Sequence, residues 1–375
     1  MPFSKLRFCH RYKANGQREL CQKVEDSPQL PWVLRGLTAF YSVRAEHQVT
    51  YDLAKQCFDL ATARQERIFL IGAHLELASA LIYLGDFAQA LQFLEKGATL
   101  YNSQEQDAHA FLYGQHFGVS CVVRMAEPLW YLGYPDQALK KSQEALVLAR
   151  IQPHTFSLAY ALSFATALHA SRREWGITQG YAEEVITLST EQGFPVWAAV
   201  GNMMQGWALA MQGQAKEGIV PICKGLDAWR ETGAEVGRAR FLALLVEAYL
   251  QLGLTEAGGR VLDEAFTVLN KSGERWWEAE LYRVKGELLL AQKMPNTASQ
   301  EIEVEQYFQK ALDVSRFQSA KSFELRAAIS LGQLWKQQGR GDDALRLLQG
   351  VYNWFTEGFE TADLREAKGL IEKLS

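Results

Sequence analysis

Residues 83–97 read YLGDFAQALQFLEKG, and residues 131–145 read YLGYPDQALKKSQEA. The two stretches carry the same residue types at matching places, namely Gly85 and Gly133, Ala90 and Ala138, and Leu91 and Leu139. A chain that repeats one short pattern at a regular interval is typical of an array of similar structural units, each of which meets the same packing requirement. The pattern therefore predicts a repeat protein.

The same pattern recurs with drift along the chain, at steps of about 40 residues from residue 133 to residue 253. The predicted turn residues are Gly85, Gly133, Arg173, Gly213, Gly253 and Gly339. About five residues after each turn stands a small or short side chain, at Ala90, Ala138, Thr178, Gly218, Gly258 and Ala344. Another follows seven residues later, at Gly97, Ala145, Val185, Gly225, Ala265 and Val351. Small residues seven apart share one helix face and allow a neighbouring helix to approach closely.

Apolar residues elsewhere recur three and four apart, as in Leu77, Leu81 and Ile82, and almost no stretch alternates with a period of two. This spacing is typical of amphipathic helices and not of strands. Each unit is predicted to be a helix, a short turn and a second helix that stacks on the next unit. The predicted fold class is an all-α solenoid of about eight antiparallel helix pairs with units of about 40 residues.

Three segments are predicted from these patterns. Residues 1–28 are basic and poorly patterned, residues 29–360 form the repeat array, and residues 361–375 form a C-terminal capping helix. The stretch MPNTASQEI, at residues 294–302, is predicted to be a long polar loop before a helix that starts at Glu303. Small polar loops of this kind are common sites of proteolysis.

Composition excludes several classes of protein. The apolar share of 48% and the charged share of 22% are those of a folded chain and not of a disordered one. A net charge of −4 gives no electrostatic basis for binding nucleic acid. No uninterrupted apolar run approaches the roughly 18 residues of a membrane span, and the N-terminus lacks the apolar segment of a secretory signal. Five widely spaced cysteines indicate a reducing compartment, so a cytoplasmic protein is expected.

The turn-and-helix pattern Leu-Gly-Asp-Phe-(x)2-Ala-(x)3-Leu resembles the tetratricopeptide repeat. That family places small residues at the eighth, twentieth and twenty-seventh positions of a unit of about 34 residues. The matching residues are Gly206 and Gly286, then Ala90 and Ala138, then Ala145, Ala265 and Ala311. The resemblance implies a right-handed superhelix. The 40-residue spacing departs from the family pattern, so the pitch of the superhelix does not carry over.

A second resemblance extends from about Gln29 to Lys373. The segments GDFAQALQFLEKGATLY, WYLGYPDQALKKSQEALVLA, SGERWWEAELYRVKGELLL and WFTEGFETADLREAK are similar to the repeat region of bacterial predicted ATPases fused to adenylate or guanylate cyclase domains. The resemblance implies a regulatory or sensor role in such a signalling system. The sequence contains no GxxxxGK[ST] motif to hold nucleotide phosphates, so the chain resembles the repeat region alone.

The sequence offers no arrangement of residues that supports catalysis. His109 and His116 could share a helix face near Asp107, but a zinc site needs further ligands, and linker or packing histidines are the simpler interpretation. A catalytic serine would need a GxSxG elbow after a strand, and neither is present. Trp276 and Trp277 are interpreted as packing between helices. We therefore expect no enzyme activity, no metal and no cofactor.

In a superhelix of the tetratricopeptide type, the first helix of each pair lines the concave groove, chiefly through its second, fifth, ninth and twelfth positions. Counted from the small residue at position eight, the candidate groove residues are Glu127, Trp130, Tyr160, Met203, Trp207, Arg240, Glu247, Glu280, Arg283, Glu287, Arg326 and Gln333. This groove would be aromatic toward the N-terminal half and charged toward the C-terminal half.

Such a surface suits an extended peptide, held by a few aromatic and charged anchors. The leading hypothesis is a non-enzymatic scaffold that binds a protein or peptide segment. One alternative is a sensor that closes around a small molecule in the aromatic half. Another is a fragment of a cyclase or ATPase whose catalytic domains lie outside this chain.

Overall fold

The computed structural model describes residues 30–101, 114–151, 154–292 and 298–375. Within those ranges the chain forms helices and no strand. In chain order the helices are α1 Leu30–Val43, α2 His47–Arg64, α3 Arg67–Leu84, α4 Phe87–Thr99, α5 Phe117–Tyr131, α6 Pro135–Ile151, α7 Thr155–Ser171, α8 Trp175–Gln192, α9 Pro195–Met211, α10 Ala215–Glu231, α11 Arg238–Gln251, α12 Thr255–Ser272, α13 Glu278–Ala291, α14 Ala298–Phe317, α15 Lys321–Gln337, α16 Gly341–Tyr352 and α17 Ala362–Leu374.

The helices form eight successive pairs, α1 with α2 through α15 with α16, and α17 packs on the last pair. The predicted all-α solenoid of helix pairs is therefore confirmed. Each predicted turn residue adopts a left-handed backbone, which glycine enters without steric cost. Arg173 takes the same conformation, with φ of 61°, so the turn geometry recurs where the sequence has no glycine.

Small residues mark the closest helix contacts, as their spacing predicts. Ala90, Ala138 and Ala344 are fully buried. Helices α9 and α10 approach each other closely, since a Cβ added at Gly218 would lie 2.2 Å from the carbonyl oxygen of Gly206. Because no larger side chain fits there, the two backbones pack directly against each other.

Helix α14 begins at Ala298, before the predicted start at Glu303. Glu301 lies in its first turn, where a carboxylate interacts favourably with the helix dipole. Part of the predicted loop at residues 294–302 is therefore helical, and the rest lies outside the described residues. Helix α13 begins at Glu278, so Trp276 and Trp277 belong to the connection that precedes it.

Helix pairs that are far apart in sequence contact each other along one edge of the superhelix, and we call this line of contacts the seam. Near the C-terminal ends of three first helices, backbone carbonyls accept hydrogen bonds from groups 192 residues later: Val43 from the Glu235 amide, Tyr83 from the Arg275 amide, and Trp130 from the Ser322 hydroxyl. Carbonyls at helix C-termini lack partners within the helix, so the seam satisfies them. Each unit was expected to pack on the next one; the seam adds contacts between distant units.

A buried pair of polar side chains lies within the seam. His47 Nε2 of α2 lies 3.0 Å from Glu274 Oε1, and both side chains are fully buried. The same carboxylate oxygen accepts a 2.8 Å hydrogen bond from the amide of Gly237. Since buried polar groups are costly unless they are hydrogen-bonded, this pair favours one register of the seam over others.

One described helix, α3, is long and apolar enough to cross a membrane, and 56% of it is buried inside the fold. A core helix of a folded domain has the same composition. Helix α3 packs against α2, α4 and α5, which accounts for its apolar residues.

Candidate binding site on the inner face

The first helix of each pair contacts the first helix of the next pair, from α1 and α3 through α15 and α17. Neighbouring elements of a curved stack approach each other on its inside, so this contact pattern places the first helices on the inner face. All twelve candidate groove residues lie on first helices, from α5 to α15. Their environments differ: Met203 is fully buried, and a Cβ added at Gly225 of α10 would meet its side chain, whereas Gln333 is exposed.

Five of the groove candidates, together with Asp363, form one set of ion pairs in the C-terminal half. We name as the ion network Glu247, Glu280, Arg283, Glu287, Arg326 and Asp363. Its centre is Arg283, whose Nε donates to Glu280 at 3.0 Å. Arg283 Nη2 donates to Glu280 at 3.0 Å and to Glu247 at 3.1 Å.

The carboxylates of the ion network have further donors. Trp207 Nε1 donates to Glu247 at 3.0 Å, and the Ser330 hydroxyl donates to Glu287 at 2.6 Å. Burial raises the pKa of Glu247, and the charge of Arg283 opposes that rise. The groups thus join α9, α11, α13 and α15 through their side chains.

Arg326 connects this network to the last helix, α17, and also to the C-terminal end of α7 on the other side of the seam. Its Nε donates to Asp363 of α17 at 2.9 Å, and its Nη2 donates to the Ser171 carbonyl at 2.5 Å. Its Nη1 donates to Glu280 at 3.5 Å. Every nitrogen of this guanidinium therefore has an acceptor within the chain itself.

A second polar group lies in the N-terminal half, around Arg124 of α5. Its Nη1 donates to the Tyr83 hydroxyl at 3.4 Å and lies 3.3 Å from Glu127 Oε2, out of line for a hydrogen bond. Its guanidinium lies 4.6 Å from the ring centroid of Phe164. Nε and Nη2 of Arg124 are buried, and no group of the described chain accepts a hydrogen bond from them.

Arg240 of α11 is also buried, with 5% of its surface exposed. Its guanidinium lies 4.8 Å from the ring centroid of Trp277 and 5.5 Å from that of Trp276. Its buried Nε has no hydrogen-bond partner, and no carboxylate of the described residues pairs with it. Aromatic faces attract a cation but do not accept its hydrogen bonds as an anion would.

The charges of these arginines influence the pKa values of three further buried groups. Burial raises the pKa of Tyr131 well above its usual value; Glu127 raises it further, and Arg240 and Arg124 both lower it. Burial also raises the pKa of Tyr160, which the charge of Arg124 lowers. The pKa of Glu76 is raised for the same reason, against the charges of Arg35 and Arg124. We name as the arginine cluster Glu76, Tyr83, Arg124, Glu127, Tyr131, Tyr160 and Arg240.

An aromatic surface continues from the arginine cluster along α7. Phe156, Tyr160 and Phe164 are four residues apart and so share one helix face. Trp197 of α9 contacts all three rings, with centroid distances of 6.0, 5.5 and 6.4 Å. All four side chains are only half-buried. We name these four residues the aromatic patch.

Aromatic rings pack against one another between the two halves. Phe323 of α15 is fully buried, and its ring lies 5.1–5.3 Å from those of Trp130, Tyr131 and Trp277. These rings join helices that are far apart in sequence. Trp130, one of the predicted groove residues, is therefore buried in this ring cluster of Trp130, Tyr131, Trp277 and Phe323.

Sequence reasoning missed Arg124, Tyr83 and Glu76. The signal for Arg124 was present, because it is the one basic residue in the apolar stretch FGVSCVVRMAEPLWY of α5. Trp276 and Trp277 were interpreted as packing residues, and both are buried, but they also contact Arg240. The positional rule for the groove selects residues one helix at a time, so it does not find groups that the seam brings together.

Other candidate chemistry is not assembled in the described ranges. No group of three or more His, Cys, Asp or Glu residues is placed there to hold a metal ion. His116 caps the N-terminus of α5, where its Nδ1 accepts from the amide of Val119 at 3.4 Å. His109 lies outside the described residues.

Comparisons with known proteins give the same fold. A family model described as Tetratricopeptide repeat matches residues 71–96 and 325–349. These stretches fall on α3–α4 and α15–α16, one pair from each half. A search of curated proteins finds no match.

Solved structures similar to this chain are helical repeat proteins. A Rap protein complexed with competence and sporulation factor is 9% identical, with a TM-score of 0.58 over 92% of this chain and 97% of that one. Aspartyl phosphate phosphatase F from Bacillus subtilis is 11% identical, with a TM-score of 0.53 over 90% and 87%. A signal transduction ATPase with a tetratricopeptide repeat sensor from Pyrococcus horikoshii is 12% identical, with a TM-score of 0.44 over 97% and 56%.

Proposed function

We propose that this chain is a non-enzymatic regulatory scaffold that binds a peptide or protein segment through the aromatic patch and the arginine cluster. The observation that carries the proposal is the continuity of the two: Phe164 belongs to the patch and lies against the guanidinium of Arg124. Half-buried aromatic rings beside an arginine are the residue types that dominate binding energy at protein interfaces.

The shape of the inner face restricts where the ligand would lie. The ion network has internal partners for its charges, and the rings of the ring cluster are buried against one another. A segment bound at the aromatic patch would leave both regions intact. The Rap protein of similar fold was solved with competence and sporulation factor bound, which supports a solenoid of this shape as a ligand-binding fold.

The wider context of the proposal rests on the sequence resemblance to cyclase-linked ATPases. We propose that the chain acts in the cytoplasm as the sensor or regulatory arm of such a signalling system. By itself it would neither hydrolyse ATP nor make a cyclic nucleotide, because its sequence has no phosphate-binding loop. Twelve candidate residues were predicted for the groove; of these, Glu127, Tyr160 and Arg240 belong to the proposed site, and the others remain a proposal for a longer contact surface.

A soluble library of random octapeptides tests the proposal. Peptides that co-elute with the protein in gel filtration would be identified by mass spectrometry and resynthesised. We expect Trp197→Ala and Phe164→Ala to weaken their binding by about tenfold or more. Phe317→Ala is the matched control, because Phe317 is 92% exposed at the end of α14. Equal losses in all three variants, or no peptide retained by the wild type, would contradict the proposal.

A small-molecule sensor is the second candidate, and the ring cluster is the observation that favours it. Because the ring cluster is buried, we propose that a small ligand would contact the aromatic patch rather than these rings. A thermal-shift screen with nucleotides and sugars separates the two. A rise in melting temperature with one of these compounds, lost in Arg240→Met, would favour the sensor.

A further inference from the structure

A second group of aromatic residues lies in the C-terminal half, on the side of α13 that faces the second helices α12 and α14. It consists of Phe266 of α12, Tyr282 of α13 and Tyr307 of α14, and we name it the tyrosine cleft. The ring centroids of Phe266 and Tyr282 are 5.3 Å apart. The rings of Tyr282 and Tyr307 are nearly parallel, at 27°, with centroids 6.4 Å apart. All three side chains are half-buried, so their rings form part of the surface.

The ammonium group of Lys310 lies over two rings of the tyrosine cleft. Its Nζ is 5.8 Å from the ring centroid of Tyr282 and 5.4 Å from that of Tyr307, and the lysine itself is exposed. Both distances are close to the limit of about 6 Å within which a ring face attracts a cation. The cleft therefore already receives a cation from the chain, but it holds that cation weakly.

The dimensions of the tyrosine cleft suit a cation larger than an ammonium. Non-bonded heavy atoms touch at about 3.5–4.0 Å, so the Lys310 nitrogen, at 5.4–5.8 Å, is not in contact with the ring centres. A methylated nitrogen is surrounded by carbons about 1.45 Å away. Those carbons would touch both rings if the nitrogen stood where the lysine nitrogen lies. A trimethylammonium group therefore fits these distances better than the lysine does.

The preceding unit of the repeat shows that packing alone does not require these residues. Counted from the matching small residues, the positions that correspond to Phe266, Tyr282, Tyr307 and Lys310 are occupied by Leu226, Leu242, Val261 and Glu264. Leu226 and Leu242 are buried there as ordinary core residues. Aliphatic side chains thus satisfy the same helix contacts, and the three rings with their lysine are specific to the later unit.

A carboxylate near the tyrosine cleft favours a positive ligand. Burial raises the pKa of Tyr282, and the charge of Glu278 raises it further, so that carboxylate acts on the ring. Arg275, whose Nε lies 3.6 Å from Glu278, opposes part of this effect. The phenol stays neutral at pH 7, and its electron-rich face is available to a cation.

We propose that the tyrosine cleft binds the trimethylammonium group of a ligand, and that Lys310 occupies the site until the ligand displaces it. Ring faces of tyrosine recognise quaternary ammonium groups because the positive charge is spread over methyl groups that give up little hydration. Choline-type compounds and trimethylated lysine side chains both carry this group. The site is separate from the aromatic patch and the arginine cluster, so the inference does not depend on the proposed function.

The first experiment measures choline binding by saturation-transfer NMR of its methyl protons. The ligand control is the neutral analogue of choline in which carbon replaces the nitrogen. We expect choline to bind and the analogue to bind at least about threefold more weakly. Lys310→Ala should strengthen choline binding by about threefold, because the competing ammonium is gone. Tyr282→Leu, which copies the preceding unit, should weaken it by about three- to fivefold.

Tyr352→Leu is the matched control, because Tyr352 is also half-buried and lies 5.9 Å from another ring, that of Phe359. It should leave choline binding unchanged. Equal binding of choline and its neutral analogue would overturn the proposal. So would the absence of choline binding in both the wild type and Lys310→Ala, or binding that Lys310→Ala does not strengthen.

The second experiment distinguishes the two sources of the trimethylammonium group. A short peptide with a trimethylated lysine is compared with choline and with the same peptide carrying an unmodified lysine. Tighter binding of the methylated peptide than of choline assigns a methylated protein as the ligand, and tighter binding of choline assigns a small molecule. If the unmodified peptide binds as tightly as the methylated one, the methyl groups are not recognised and the inference fails.

Discussion

The ion network and the arginine cluster both contain buried arginines and glutamates on the inner face. They differ in how many hydrogen-bond acceptors the arginines have. Arg283 donates hydrogen bonds to Glu280 and Glu247, Trp207 donates another to Glu247, and Glu287 lies 3.7 Å from the guanidinium as an ion pair. Arg124 has one carboxylate beside it, that of Glu127, together with aromatic rings, and Arg240 lies against the rings of Trp276 and Trp277. The comparison shows that burial of a charge alone does not mark a site. A buried charge that the fold leaves without partners is the better indication of a ligand.

Arg283→Met gives the largest expected change. Removal of Arg283 leaves Glu247 and Glu280 buried beside each other with fewer donors, which typically costs about 3–5 kcal/mol of the free energy of unfolding. Urea denaturation measures the loss through the shift of the midpoint. Arg346→Met, at an exposed ion pair, should cost less than about 1 kcal/mol. A small effect of Arg283→Met would mean that the ion network is not structural.

Ala138→Leu tests whether the two halves are mechanically independent. Ala138 is fully buried, so the larger side chain overpacks α6 and costs about 1–3 kcal/mol. A one-dimensional array would show faster hydrogen exchange at residues 115–185 and little change beyond residue 253. Because Glu357 accepts hydrogen bonds from the amides of Asp136 and Gln137, we expect a second zone near residues 354–361. Uniformly faster exchange would show one cooperative unit.

Acid should weaken the N-terminal half through His74 of α3. Burial, with a smaller contribution from Lys96, lowers the pKa of His74 to about 4. The unfolded chain, with a pKa near 6.5, takes up the proton more readily, so the stability due to the neutral ring is complete above pH 6.5 and is lost as the pH falls toward 4. We expect about 2 kcal/mol less stability from this group at pH 5 than at pH 7. His74→Leu should remove that part of the pH dependence; an unchanged pH profile would contradict it.

Arg240→Met gives the smallest expected change in stability and is the sharpest test of the comparison. Arg240 has no carboxylate to leave unpaired, so its replacement should alter the free energy of unfolding by no more than about 1 kcal/mol and could increase it. The same urea measurement applies. A loss as large as that of Arg283→Met would show that Arg240 stabilises the fold and that the two regions do not differ.

The sequence by itself determined the repeat and most of its local structure. Turn residues such as Gly85 and Gly133, the buried small residues at Ala90 and Ala138, and the helical period are local properties, and each of them reports on contacts within a helix or between adjacent helices. The positional rule likewise selected residues that all lie on first helices of the pairs, including Arg240 and Arg283.

Only the tertiary structure decided which of those residues meet. The seam brings Val43, Tyr83 and Trp130 against groups 192 residues later, and no local pattern encodes a contact at that distance. It also places Arg283 within hydrogen-bond distance of Glu247 and Glu280, whereas it places Arg240 against aromatic rings. Whether a buried charge is paired depends on the neighbours that the superhelix supplies after it has closed, because Coulomb attraction and hydrogen bonds act over a few ångströms of space and not along the chain.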